Sequence, residues 1–232
     1  MNEVLNTPFF GIVLTITAYE FGVFLSRKFK LSICNPILVA SVLIIGFLLL
    51  TGIELETYNI GGDYISIFLA PVTAVLAVPL YRQLDNLKKN LVPIVIGILA
   101  GCFTSFFLVL LLSKLFGLSG ELSVSLFPKS ITIPMGIELS REIGAVPAIT
   151  IASIVITGIT GGVVAPFVCK VCKIRHPVAQ GVAIGTASHA IGTAKALEMG
   201  EIQGAMSSLA IGVTGIFTSI LVPVLLHFQI FG

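Results

Sequence analysis

The chain has 232 residues, of which 56% are hydrophobic and only 10% charged, and its mean hydropathy is +1.09. A soluble domain carries about 25% charged residues, so this composition excludes a soluble enzyme or a nucleic-acid binder as the default and indicates an integral membrane protein. The net charge of +2 is too small to point to a polyanionic partner.

In chain order, residues 8–26 form a first apolar span, interrupted only by Glu20. Residues 31–53 contain no charged side chain, residues 64–81 make a third span, and 91–113 a fourth. Further uncharged runs cover 143–169 and 202–232. Crossing the hydrocarbon takes about 20 apolar residues, and a single core helix does not need such runs repeatedly. The expected fold is all-α, a polytopic helical bundle of about six full spans, because backbone polar groups in lipid must be paired within the protein. Met1-Asn2-Glu3 lacks the basic start of a cleavable signal, so the first helix is expected to be retained. Trp is absent, which leaves the interfacial belt to Tyr and Phe.

Basic residues gather in three short loops: Arg27, Lys28 and Lys30; Arg82, Lys88 and Lys89; Lys170, Lys173 and Arg175. The positive-inside rule puts all three in the cytoplasm and the N-terminus outside. The fourth span then ends outside near Lys114, and the span ending at Lys170 must begin outside. Residues 121–142 therefore cannot cross completely; they enter, turn and leave on one side. Pro128 and Pro134, which flank Lys129, Ser130 and Thr132, suit a broken helix. Residues 178–199 pose the same question from the other face. Eleven of the sixteen residues from Gly181 to Ala196 are Gly, Ala, Ser or Thr, too small and polar for a lipid-facing helix. A second re-entrant or broken helix, entering from the cytoplasm, is expected there.

An internal repeat accompanies these segments. Ile154 to Pro166 matches Ile211 to Pro223 at an offset of 57, with five of thirteen positions identical, including Thr-Gly-Ile and the proline. A weaker echo links Pro71-Val72-Thr73 to Pro128-Lys129-Ser130. Opposite orientation of the two units corresponds to the inverted repeat of secondary transporters; the alternative is that any two apolar Gly/Thr-rich helices look alike. The whole chain, 1–232, reads as one membrane domain, with 1–115 as scaffold-like helices and 121–170 and 177–229 as the repeat units.

Few ionisable residues fall within these segments, and an uncompensated charge at the bilayer centre costs about 2.5–3.5 kcal/mol on insertion scales. Lys129, with Ser130 and Thr132 at a broken helix, suits an anion site; alternatively it snorkels outward or pairs with Glu138. His189, among Thr186, Ser188 and Thr193, either binds a carboxylate or relays a proton, or is a satisfied structural histidine. Lys195 and Glu198 suit a helix-end ion pair, with Glu138 and Glu20 as coupling or structural carboxylates. Cys169-Lys170-Val171-Cys172 lacks a second CxxC or a His pair, so packing is preferred to a redox or metal role. No catalytic order, phosphate loop or metal-ligand spacing appears, and no enzyme activity, metal or cofactor is expected.

The stretches Pro128-Lys129-Ser130-Ile131-Thr132-Ile133-Pro134, Gly185-Thr186-Ala187-Ser188-His189-Ala190-Ile191-Gly192-Thr193-Ala194 and Glu201 to Ala210 resemble the signatures of the LrgB/CidB family, as do Asn35-Pro36 and Pro79-Leu80-Tyr81. Lys195 stands where many relatives are expected to carry Arg, keeping the charge but losing bidentate geometry. The resemblance implies a bacterial inner-membrane protein, holin/antiholin-like and modulating murein hydrolase activity and autolysis, beside a small LrgA/CidA-type membrane partner. It also implies a link to small carboxylates, since a plant relative is a plastid glycolate/glycerate translocator and some bacterial systems are tied to pyruvate uptake. The residues themselves favour transport of a small monocarboxylate, with Lys129, Ser130 and Thr132 meeting Thr186, Ser188, His189 and Thr193 near the midplane. Autolysis regulation without transport is the competing expectation. The expected partners are the lipid bilayer, a small carboxylate anion and the LrgA/CidA-type protein, with a homo-oligomer left open and no nucleic acid.

Overall fold

The computed structural model describes residues 6–29, 36–68, 71 and 77–227, and these are helical wherever they are regular. Met1-Asn2-Glu3, Lys30, Cys34, Asn35, Val72-Thr73 and residues 228–232 lie outside the described residues, as does much of the span expected at 64–81. The chain divides into two compact units between Val75 and Leu76.

In the first unit, α1 (Pro8–Phe29) packs against α2 (Pro36–Thr51) and α3 (Leu55–Ser66). Gly11 of α1 and Gly61 of α3 approach so closely that a methyl group on either would meet the other's backbone. The Thr15 and Tyr58 hydroxyls, 2.9 Å apart, join the same pair of helices. Helix α3 differs from the expected spans because Glu56 and Asp63 keep it from being an uninterrupted apolar run. The described part of the second apolar span is a helix of 16 residues.

The second unit contains α4 (Ala77–Arg82), α5 (Leu84–Lys89), α6 (Leu91–Leu115), α7 (Gly120–Leu126), a 3-10 turn at Phe127–Ser130, α8 (Ile133–Glu142), α9 (Pro147–Val171), α10 (Pro177–Met199) and α11 (Glu201–His227). Helix α6, grouped by sequence with the scaffold, packs here with the later helices through Ile94, Ile98, Cys102, Val178, Val182 and Met206. Four helices among the described residues are long and apolar enough to cross a membrane: α1, α6, α9 and α11.

Two helical hairpins sit among α6, α9 and α11. The first begins where the Ser119 hydroxyl accepts the Leu122 N–H, capping α7. Pro128 shapes the 3-10 turn, and Pro134 opens the return arm, α8. Both arms are tied to the start of α9. The Ser125 hydroxyl accepts the Val146 N–H at 2.9 Å, Thr150 donates to the Ser125 carbonyl at 2.8 Å, and Ser140 donates to the Thr150 hydroxyl at 2.8 Å.

The second hairpin is α10 itself, interrupted at His189, whose backbone adopts φ 42° and ψ −142°. Before the break, Gly181 packs on the backbone of Gln203 and Gly185 on that of Ser207, so this arm runs parallel to α11. After it, Thr193 meets Ser207 at 2.7 Å and Leu197 packs on Gly204, so the return arm runs antiparallel. The two hairpins enter from opposite ends of α6. Gly101 faces Thr186 of the second and Ser105 meets Lys129 of the first, so their tips approach in the middle of that helix.

Gly185 is the closest fit on the parallel arm, with Ser207 and Ala210 in the way of any added carbon, whereas Gly212 has open space around it. Gly185→Ala should lower stability by about 1–3 kcal/mol through overpacking, while Gly212→Ala should leave it unchanged or slightly higher. Thermal unfolding of the two purified variants in detergent checks the difference.

Candidate functional site

The hairpin tips, α6 and α9 enclose an open groove of about 790 Å³. Its walls include Thr104 and Ser105 from α6, Lys129 and Ser130 from the first tip, Thr157, Thr160 and Gly161 from α9, and Thr186 and Ser188 from the second tip. This volume suits a small-molecule site. The wall is mostly apolar, with the hydroxyls and a single ammonium gathered where the two tips approach.

Lys129 is the centre of this cluster. Its ammonium donates to the Ser105 hydroxyl at 2.9 Å and to the Ser130 hydroxyl at 3.2 Å, and those two hydroxyls lie 3.3 Å apart. Among the described residues no carboxylate lies within ion-pair distance of it; the ion pairs are Arg141–Glu138 and Lys195–Glu198. Glu138 is thus engaged by its own helix neighbour, and the pairing of Lys129 with Glu138 considered from sequence is not made. An ammonium in low dielectric gains far more from an anion than one at the surface does, and this one has only neutral oxygens. Its third donor position remains for a ligand.

The backbone at the second tip is fixed by its side chain. The His189 Nε2–H donates to the Ile154 carbonyl of α9 at 2.9 Å, with the ring packed on Gly158. The φ of 42° belongs to the left-handed region that disfavours a residue with a Cβ, so this bond holds a strained reversal in place. Ser188, buried at 2% exposure, lies against Gly161. Thr193 donates to the His189 carbonyl at 2.9 Å and contacts the Ser207 hydroxyl of α11, so it joins the return arm to that helix and does not line the groove.

The structure therefore brings Lys129, Ser130, Thr186 and Ser188 to one wall. It keeps Thr193 between the second hairpin and α11, and Thr132 at the N-cap of α8, without a side-chain cap bond. His189 acts as an anchor through its Nε2. Glu138, Lys195 and Glu198 form exposed ion pairs away from the groove. Glu20 lines a separate, largely apolar hollow of about 880 Å³ within the first unit. Sequence reading missed Ser105, whose only signal was a Thr-Ser pair halfway along an apolar span, and it missed Thr157 as a wall residue although it lies in the repeated Thr-Gly-Ile. Cys169 is buried and Cys172 exposed, both as free thiols.

Long apolar helices combined with two interrupted hairpins and a polar cluster between their tips define a polytopic helical membrane protein. Residues 15–228 match the LrgB-like family, and the chain belongs to that family. It is similar to the Antiholin-like protein LrgB of Bacillus cereus (strain B4264) and that of Bacillus anthracis (strain CDC 684 / NRRL 3495). It is 37% identical to each over 223 residues, covering 96% of this chain and 97% of each relative. No solved structure matches it.

The strained reversal inverts the usual ranking of small residues. His189→Ala loses the bond to Ile154 and keeps the strain, whereas His189→Gly loses the bond and relieves it. The glycine variant should be the more stable of the two by about 1 kcal/mol or more, as read from their thermal midpoints in detergent.

Proposed function

We propose that this protein is a secondary transporter of small monocarboxylates, of the pyruvate or glycolate type, in the bacterial inner membrane, working with a small LrgA-type membrane partner. The observation that carries this reading is the ammonium of Lys129, held on the groove wall by the hydroxyls of Ser105 and Ser130 with no carboxylate among the described residues within ion-pair distance. A carboxylate entering the groove supplies the missing charge, with Ser105, Ser130, Thr186 and Ser188 as hydrogen-bonding groups around it. Chemically the site needs no bond making or breaking; it binds, and release follows when the two sides exchange access.

The topology in this proposal has the N-terminus outside, about six full spans and two re-entrant hairpins, the first entering from outside and the second from the cytoplasm. The hairpin-plus-helix units 121–170 and 177–229 are taken as an inverted repeat. Two correspondences support it beyond the sequence match. A hydroxyl pair ties the return arm of each hairpin to the long helix that follows, Ser140 to Thr150 and Thr193 to Ser207, and Thr150 and Ser207 are 57 positions apart. The repeated glycines also pack crosswise, Gly158 on His189 of the second hairpin and Gly215 on Met135 of the first.

The second reading is an antiholin-like regulator of murein hydrolase activity and autolysis without transport of its own. The relatives' name, Antiholin-like protein LrgB, favours it. Under that reading Lys129 is structural and partner contacts carry the activity.

Proteoliposomes separate the two. Saturable uptake of labelled pyruvate or glycolate is expected, with Lys129→Ala reducing it at least about tenfold and Ser105→Ala raising the half-saturating concentration. Leakage that does not saturate, admits unrelated solutes and ignores both substitutions would overturn the transport reading.

Sidedness is checked by cysteine labelling in a background without native cysteines. Glu121→Cys and Glu142→Cys, both at exposed positions, should react with an impermeant maleimide from outside, and Arg175→Cys and Glu201→Cys only from the cytoplasm. Gly144 is avoided because its φ of +69° would strain any side chain. Reaction of Glu121→Cys and Glu142→Cys from opposite sides would refute the re-entrant assignment.

A further inference from the structure

Behind the groove lies a second, much smaller cavity of about 10 Å³, and five hydroxyl-bearing residues line it: Ser105, Ser130, Thr186, Thr214 and Thr218. Ser105, Ser130 and Thr186 also belong to the groove wall, so the two spaces share one polar partition. Two of the hydroxyls stand out. Thr186 is 7% exposed and Thr214 1% exposed, and neither hydroxyl oxygen has a hydrogen-bond partner in the protein. The Cys102 thiol lies beside both Thr214 and Thr218 but makes no hydrogen bond of normal geometry to Thr214. Buried hydroxyls are paired in the great majority of cases, and these two, one from the second hairpin and one from the long helix that follows it, line the same space.

The chemistry of the wall limits what fits there. The volume is that of one oxygen-sized group. A cation would sit beside the ammonium of Lys129, which already donates to Ser105 and Ser130, and no carboxylate lines the cavity to offset that repulsion. Those two serine oxygens accept from the ammonium and are hydrogen-bonded to each other, so one serine proton is taken by the neighbouring serine and the other turns away from the ammonium. With the free hydroxyls of Thr186 and Thr214, the wall is rich in donors, and a donor-rich pocket beside a fixed positive charge selects a negatively charged oxygen.

We propose that this cavity seats one carboxylate oxygen of the solute bound in the groove, with Thr186 and Thr214 donating to it and Lys129 supplying the charge. This rests on the carboxylate reading of the groove and adds Thr214 to the binding residues. It also gives the repeated Thr-Gly-Ile a use in each copy: Thr157 lines the groove and Thr214 the cavity.

The test uses the full chain in detergent micelles with acetate, glycolate and pyruvate as probes, reading affinity by calorimetry and folding by the thermal midpoint. Thr214→Val keeps the shape of the side chain and removes a hydroxyl that is unpaired in the ligand-free protein. Its ligand-free midpoint should match or exceed that of the wild type, while affinity for the preferred probe falls about tenfold or more. Thr214→Ser should restore that affinity, and Thr186→Val, on the hairpin rather than the long helix, should lose it in the same way. Unchanged affinity in either folded valine variant would overturn the proposal and leave transport standing, with a structural water as the occupant. Failure of both valine variants to fold would overturn it too, since the hydroxyls would then be needed without solute. If the wild type binds none of the three probes, the carboxylate reading falls and this proposal with it.

Discussion

An ammonium group held among apolar helices needs local compensation, and at Lys129 the compensation is two serine hydroxyls on different elements, Ser105 and Ser130. That requirement ties together most of what the second unit does. The first tip must reach the middle of α6, which it does because Pro128 and Pro134 break the chain into a short turn between two arms. The second tip must come up from the other end without overlapping it, and the reversal at His189 stops it there. Small residues let both arms of that hairpin lie on α11 at backbone contact distance. Remove the close approach, and the hydroxyls that surround the ammonium no longer share one wall.

The chain reversals were legible because they disturb patterns that lipid imposes. Pro128, Lys129 and Pro134 interrupt an apolar stretch, and the run of small residues from Gly181 to Ala196 is wrong for a helix facing hydrocarbon. The loops rich in Lys and Arg then left the first segment without a side to cross to. Other features carry no such mark. A hydroxyl inside an apolar helix can return its bond to the carbonyl four residues earlier, as Thr104 does to Ala100, so its presence in the sequence is the same whether or not it faces a site. Ser105 and Thr214 were invisible for that reason. Helix α3 was missed for a different one: Glu56 and Asp63 spoil its hydropathy, and its helicity follows from packing on α1 through Gly11 and Gly61.

Thr193 and His189 show how composition overstates a site. Both sit in the most polar part of the chain, yet one closes a hydroxyl pair that ties its hairpin to α11 and the other fixes the tip to α9. Each satisfies the backbone or a neighbour, and that frees Thr186 and Ser188, on the same arm, to face the groove. The polar residues of the second hairpin thus divide between holding its shape and lining the space beside it.

The reversal at His189 has a consequence for how stiff this region is. A glycine at a positive φ visits many other backbone states and makes a loose pivot. A histidine there has few states to visit, and its ring is bonded to a neighbouring helix besides. The corner is a rivet rather than a hinge. Motion of the second hairpin therefore has to carry its tip along as a rigid piece, or break the bond to Ile154 outright, and the polar groups beside the tip keep their spacing until it does.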